Sequence, residues 1–449
     1  MSAARPALYE QITVESNDQK RTVDLRLGAI AIDYYEDIFS PTITAKIRVI
    51  DTGDSMSPKD PTDDSKTDGP KQSIYSGLPL RGGERVILKI LDRGKSYSGE
   101  EKKGIDFASD PSKYLYVSSI SEVISETQRD SFLLNLVSRE AITNETARVS
   151  KKYTGTIAES VKKILTDVMK IDEPRVSIDT TSNKYSFIGN LKKPFRVIIW
   201  LASKSVPNSS GDATAGFVFY QTQDGFNFRS IDEMIKQESV ATYVYTEVAK
   251  SEIDRNNDFR ILSYSVDKNQ NLVEKLRLGT YSSQNMFFNP LNFRFTSPTK
   301  SIFKLKKDRV ENLGNEIELP LISEESEKKL DDVPTRLFTA IVDIGTMEKG
   351  VSKEENADPS KYQSQATMRY NVLLTQSVSM MVPCNTDLRA GDVITCEFPK
   401  ISREDAAELD ADTSGKYIIK ELCHHFEPDG SYTSMKLVRD TFGFYGKTD

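Results

Sequence analysis

A chain of 449 residues is beyond the size at which one hydrophobic core keeps growing, so two to four domains are expected. Hydrophobic residues supply 37% of it and charged residues 28%, and a formal net charge of −7 with both signs mixed argues against a nucleic-acid-binding stripe or tail. The most apolar run, Val197 to Ala202, is far too short to span a bilayer, and Met1 to Tyr9 lacks the apolar stretch of a secretory signal, so the expectation is a protein made in a cytoplasm with no membrane insertion.

Leu8 to Ile12, Thr22 to Leu27, Ala29 to Tyr35 and Thr42 to Asp51 read as strands, rich in Ile, Val, Thr and Tyr and separated by turn residues. Asp54 to Gln72 has almost nothing to bury and reads as an exposed insertion. Ile74 to Asp92 resumes the strands, Arg93 to Pro111 reads as a second polar insertion, and Tyr114 to Arg139 closes with a hairpin. Residues 1–142 are therefore expected to form a first antiparallel β-barrel.

The period then changes. Thr156-Ile157-Ala158-Glu159 is a capping box, and behind it Ile157, Val161, Ile164, Leu165, Val168 and Met169 share one helical face. Tyr185 to Ile188 is a short strand. Pro194 opens a second helix whose buried side is expected to be Phe195, Ile198, Ile199 and Leu201. Phe217 to Tyr220 and Phe226 to Phe228 flank Asp224-Gly225, a hairpin signal. Asn256 to Val266 reads as another strand, Leu272 to Leu278 ends at the C-cap Gly279, and Tyr281 to Phe295 is extended and aromatic. Residues 143–303 make an α+β middle domain and 304–333 a linker that includes the charged loop Ser323 to Asp332.

Residues 334–449 are expected to form a second β-barrel. Thr335 to Asp343 reads as its first strand, Gly345 to Lys361 as a polar insertion, and Tyr370 to Val382 as the next strand. Met381 to Ile394, Gly415 to Ile419 and Tyr432 to Arg439 alternate apolar and polar residues, with a tight turn at Pro428-Asp429-Gly430. The fold class is mainly β with an α+β middle: two similar antiparallel β-barrels flanking an α+β domain.

The two barrels look like copies of one plan. Leu80-Arg81-Gly82-Gly83-Glu84-Arg85-Val86-Ile87 matches Leu388-Arg389-Ala390-Gly391-Asp392-Val393-Ile394 in kind. Lys113 to Val117 matches Gly415 to Ile419, and Gln128 to Val137 matches Pro428 to Val438. An acidic Gly turn, a Tyr-rich strand and a polar turn into a last strand recur in the same order, which points to internal duplication.

Chemistry is sparse. Cys384, Cys396 and Cys423 are an odd number near the C-terminus and imply no disulfide framework. Cys423 with His424 and His425 invites a metal reading, but neighbouring residues of a strand point to opposite faces, so the two imidazoles cannot readily share one ion. Gly82-Gly83 lacks the Gly-Lys-Ser/Thr ending of a phosphate loop and precedes a strand. No Gly-x-Ser-x-Gly elbow occurs, and nothing singles out a pair among 67 Asp and Glu residues. Catalytic residues: none. Cofactor-binding and metal-binding residues: none. Trp200 reads as helix core rather than a ligand box, and Phe287 to Phe295 leans toward an interface because Asn289, Pro290 and Asn292 interrupt a regular strand.

Taken together, Lys193-Pro194-Phe195 with Trp200-Leu201-Ala202, Gly216 to Tyr220, Asp224 to Ile231, Asn271-Leu272, Arg277 to Ser282, Gly415 to Ile419, His425-Phe426, Tyr432 and Leu437 to Asp440 resemble the central baseplate hub protein of T4-like contractile-tailed phages. The insertions near 54–72, 93–111 and 345–361 depart from that pattern. The resemblance implies a homotrimer shaped as a short hollow cylinder, six quasi-equivalent barrels from three chains, and an adapter between a six-fold tail tube and a three-fold central spike. A closed ring of three identical chains offers only three-fold contacts unless each chain carries its interface twice. Implied partners are the tail tube protein, the central spike protein and baseplate wedge or other hub-associated proteins, with DNA passing through an acidic lumen without specific binding. The implied place is the virion tail baseplate, assembled in the host cytoplasm. The alternatives are the hub or spike module of a type VI-like injection system, which would carry a fused needle not seen after Tyr445, and a cell-wall hydrolase with β-domains.

Overall fold

The computed structural model describes residues 6–53, 71–78, 80–92, 94, 96–208, 214–245, 258–268, 271–295, 299–302, 312–315, 319–342, 359–400 and 409–443. The insertion expected near 54–72 lies outside the described residues except at its end, and so does 345–358 of the one near 345–361.

The first β unit contains β1 (Leu8–Glu15), β2 (Thr22–Asp24), β3 (Ala29–Asp37), β4 (Thr44–Asp51), β5 (Arg85–Leu91), β6 (Ile105–Asp106), β7 (Leu115–Glu126) and β8 (Arg129–Ser138). Their spatial order is β2-β1-β5-β7-β8-β4-β3, with every neighbouring pair antiparallel. Alternation sets which face is buried. In β4, Ala45, Ile47 and Val49 point into a core with Ile12, Val86 and Leu134, while Thr44 and Lys46 face out.

The segment 93–111 is not a loose insertion. β6 pairs with β5, and Ile105 and Phe107 lie in the same core. Its apolar residues are spaced singly among charges, too few to raise a periodic signal.

The middle region contains β9 (Lys152–Tyr153), β10 (Val176–Ile178), β11 (Phe187–Ile188), β12 (Phe217–Thr222) and β13 (Gly225–Ser230). The capping box forms: Thr156 Oγ1 accepts the Glu159 N–H and the Glu159 carboxylate accepts the Thr156 N–H, both at 3.3 Å. Helices Ile157–Lys163 and Pro194–Ala202 pack with the β12–β13 hairpin around Val161, Leu165, Ile198, Phe219 and Phe228. Two residues differ from the reading above. Ile199 and Trp200 are on the outer side of their helix, 47% and 37% exposed. Trp200 lies beneath the ammonium groups of Lys192 and Lys204 and edge-on to Tyr185 and Phe187. An aromatic flanked by lysines can satisfy both an apolar body and a wet rim, which a helical-face count does not register.

The second β unit begins earlier in the chain than Thr335. It takes β14 (Thr242–Tyr245), β15 (Arg260–Ile261) and β16 (Ser263–Lys268) from the stretch assigned to the middle. A separate small sheet follows with β17 (Ser282–Asn289), β18 (Arg294–Phe295), β19 (Thr299–Ile302) and β20 (Arg336–Ile341). Residues 335–343, expected to open the second barrel, instead give β20, which pairs in parallel with β17. Helix Pro359–Leu373 takes the last residues of the stretch read as a polar insertion and the first residues of the one read as a strand. It buries Ser364, Ala366, Met368, Arg369, Val372 and Leu373, a set in which small and polar residues interrupt the apolar ones and weaken the helical pattern. The unit is completed by β21 (Gln376–Pro383), β22 (Val393–Glu397), β23 (Gly415–Glu427) and β24 (Gly430–Arg439). Its order is β15-β14-β22-β23-β24-β21-β16. The protein is thus mainly β, with two similar β units on either side of an α+β middle; the first is antiparallel throughout, and the second is antiparallel except where β14 runs parallel to β15 and β22.

Candidate functional site: the seam between the two repeats

The duplication read from the sequence holds at the level of single hydrogen bonds. Gly83 and Gly391 have φ of 92° and 93°. The Glu84 carboxylate accepts from Arg81 N–H at 2.7 Å, as the Asp392 carboxylate does from Arg389 N–H at 2.8 Å. Gly83 N–H donates to Val117 O (2.7 Å) and Val117 N–H to Glu84 O (2.9 Å). Gly391 N–H donates to Ile419 O (2.8 Å) and Ile419 N–H to Asp392 O (2.9 Å). Arg85 then faces Tyr116 and Val86 faces Leu115, as Val393 faces Ile418 and Ile394 faces Tyr417. Both hairpins carry a one-residue bulge just past this point, at Ser118 and at Lys420. An acidic residue one step after a positive-φ glycine is what a turn of this hydrogen-bond pattern requires, and that is why the motif was visible.

The repeats join through β3 and β23, antiparallel from Asp37–Glu421 to Ile32–Phe426, so one sheet runs through both. Glu36 lies at the centre of this seam, 2% exposed. Its carboxylate accepts from the Tyr34 hydroxyl (2.7 Å), Gln223 N–H (2.8 Å) and Ala390 N–H (2.8 Å), and so ties the first repeat, the middle region and the second repeat together. Burial raises its pKa, opposed by the nearby Arg389 guanidinium and by those donors. Arg389 binds Asp224 through Nε at 2.8 Å and the Thr386 carbonyl through Nη1 at 2.7 Å. Asp392, beside them, is pushed up to about 6 by burial.

Three further contacts bind the parts. Lys102, in the segment read as an insertion, is buried and donates to the Cys384 carbonyl at 2.5 Å, with Asp92 at 3.6 Å. Thr386 and Asp387 accept from Gly104 and Lys103 N–H groups at 3.1 Å. Arg369 lies between Asp232 (2.8 Å) and Asp440 (3.2 Å), all three buried. Burying such a cation is costly unless fixed acceptors replace the water it has lost.

His424 and His425 point to opposite faces of β23. His424 is fully buried, stacked on Tyr34, with Nδ1 2.9 Å from Thr433 Oγ1, and burial lowers its pKa to about 3. His425 lies against Asp33 and Glu427, and the Asp33 hydrogen bond raises its pKa. Burial pushes the Cys423 thiol up to about 12, and Cys384 and Cys396 are raised as well. Among the described residues no cluster of three His, Cys, Asp or Glu side chains is placed to hold a metal ion. The Gly82-Gly83 turn spends its amides on Glu84 and Val117. The arrangement is suited to holding parts in a fixed relation, and sequence reasoning missed its main residues, Glu36, Lys102, Asp92 and Arg369. Of the aromatic stretch, Phe287 is buried, whereas Leu291, Phe293 and Phe295 are 71%, 81% and 61% exposed.

No protein-family model matches the chain. In structure it is similar to a 43 kDa tail protein of prophage MuSo2 from Shewanella oneidensis, with a TM-score of 0.52, 8% identity, and coverage of 96% of this chain and 99% of that one. It is also similar to a tail protein from Neisseria meningitidis MC58, with a TM-score of 0.49, 10% identity and 97% coverage of each chain. The first of these likenesses shows that the chain shares the fold of a prophage tail protein. In sequence the chain is 24% identical over 304 residues to a probable baseplate hub protein, gp334, of Vibrio phage KVP40. That match covers 64% of this chain and 66% of the relative, a little under two thirds of its length. The resemblance to baseplate hub proteins read from the residues is borne out by this similarity.

Proposed function

We propose that the chain is a structural hub of a contractile phage-tail baseplate, a homotrimer whose six quasi-equivalent β units match a six-fold tail tube to a three-fold central spike and frame the path of the genome. The matched turns at Gly83 and Gly391, with identical pairing into the following hairpins, are the observation that carries this reading. A chain that presents one surface twice lets three copies make six near-equal contacts. In this reading its work is binding and symmetry matching, without bond chemistry, and its partners are the tube and spike proteins and neighbouring baseplate proteins in the virion. In the same reading β1 to β8 form the first unit, and β14 to β16 complete the second beside β21 to β24. Light scattering on the purified protein at tens of micromolar tests the reading. A species of three chain masses is expected; a monomer at every concentration overturns it.

A further inference from the structure

The seam inside one chain shows how one repeat binds the next, and among the described residues the same two kinds of edge are left without a strand. β23 gives its outer edge to β3. Through the matched pairings β7 occupies the place of β23, since Val117 corresponds to Ile419 and Leu134 to Met435. β16 likewise occupies the place of β3. β3 pairs with β4 and β16 with β21, and these partners hold the same station beside β8 and β24. Beyond its short pairing with β5, the outer edge of β7 from 119 to 126 meets no strand among the described residues, and neither does the outer edge of β16.

We infer that β7 of one copy pairs with β16 of a neighbouring copy in the way that β23 pairs with β3 within a chain. Strand addition to an open edge supplies backbone hydrogen bonds, and alternate side chains set the register. In the seam within the chain, Ile32, Tyr34, Leu422 and Phe426 are at most 1% exposed. On the edges without a strand, Val266, in the place of Tyr34, is 38% exposed, and Val123 and Ile124, the latter in the place of His425 on the other face, are 40% and 58% exposed. An open edge carrying β-branched residues is a liability unless a partner covers it. The contact is head-to-tail, each unit using one edge of each kind, so it closes only if the rotation per unit returns on itself. Seams within chains then alternate with seams between chains around the ring.

The register follows from the pairings. β7 has a second bulge between Ser121 and Ile124 that β23 lacks, which brings Ile124, opposite Ser131, to the place of His425, opposite Tyr432. Ser265, opposite Ser379, stands where Asp33 stands opposite Lys46. Since His425 and Asp33 touch, Ile124 of one copy meets Ser265 of the next.

This inference rests on the hub reading, and one experiment separates the two. The pair Ile124→Cys and Ser265→Cys is placed in one chain, both at exposed positions, and mildly oxidised. Covalent dimers and trimers are expected on a denaturing gel, with either substitution alone giving only monomer. A protein that light scattering shows to be trimeric, yet forms no covalent dimer or trimer, overturns the strand pairing and leaves the hub reading intact. A monomer by light scattering overturns both.

Discussion

At the scale of single residues, the buried His424 sets a measurable dependence on pH. Its folded pKa of about 3 lies below its unfolded value near 6.5. As pH falls through 6.5 the unfolded chain takes up a proton that the folded chain refuses, so stability is lost progressively from about pH 6.5 down to about pH 3. At pH 4 that loss amounts to roughly 3 kcal/mol. His424→Gln removes the titration, although it also loses the stacking on Tyr34. Urea melts of the two proteins at pH 7 and pH 4 are expected to show a smaller drop for His424→Gln by a few kcal/mol, and equal drops would contradict the burial argument. That His424 and His425 part to opposite faces was legible, because strand alternation is a local rule. That one of them is sealed and the other held by Asp33 was not, since β3 lies almost the whole chain away.

The elements follow the same division. Strands with alternating faces, the Asp224-Gly225 hairpin, the Thr156 capping box and the Gly279 C-cap, with φ of 67°, were all readable because each is specified within a few residues. The parallel pairing of β20 with β17 and the recruitment of β14 to β16 were not, because a strand's choice of partner depends on contacts distant in sequence. The duplicated turn gives a test at this scale. A Cβ at Gly391 would sit 2.3 Å from the Tyr220 hydroxyl, whereas one at Gly83 would sit 3.1 Å from a side-chain oxygen of Asn17, an exposed residue that can yield. Both glycines have positive φ. Gly83→Ala is expected to cost about 1 kcal/mol of backbone strain and Gly391→Ala about 2–4 kcal/mol, the difference being the clash. Thermal melts of the two variants check the order.

On the scale of the whole molecule, the three regions act as one body through a few buried polar contacts. Glu36→Ala leaves two backbone N–H groups and the Tyr34 hydroxyl without their acceptor, and takes away one of the carboxylates near Arg389, which keeps Asp224. Breaking a buried charge arrangement of this kind costs about 3–5 kcal/mol. Calorimetry is expected to show a single transition for the native sequence and a clearly lowered one for Glu36→Ala; an unchanged midpoint would mean that Glu36 does not join the regions. None of this joint was visible in composition, because a lone acidic residue on a strand looks the same whether it faces water or another domain.

The seam also constrains the order of events during synthesis. Asp37 pairs with Glu421, roughly 380 residues further on. At ~5–20 residues per second, the ribosome leaves the edge of β3 uncovered for about 20–80 s after it emerges. During that interval the nascent edge is open to any strand nearby, including one on an adjacent chain of the same polysome. A late-arriving β23 must displace such a visitor, so slow release of the C-terminal strands favours tangled products over correctly paired chains.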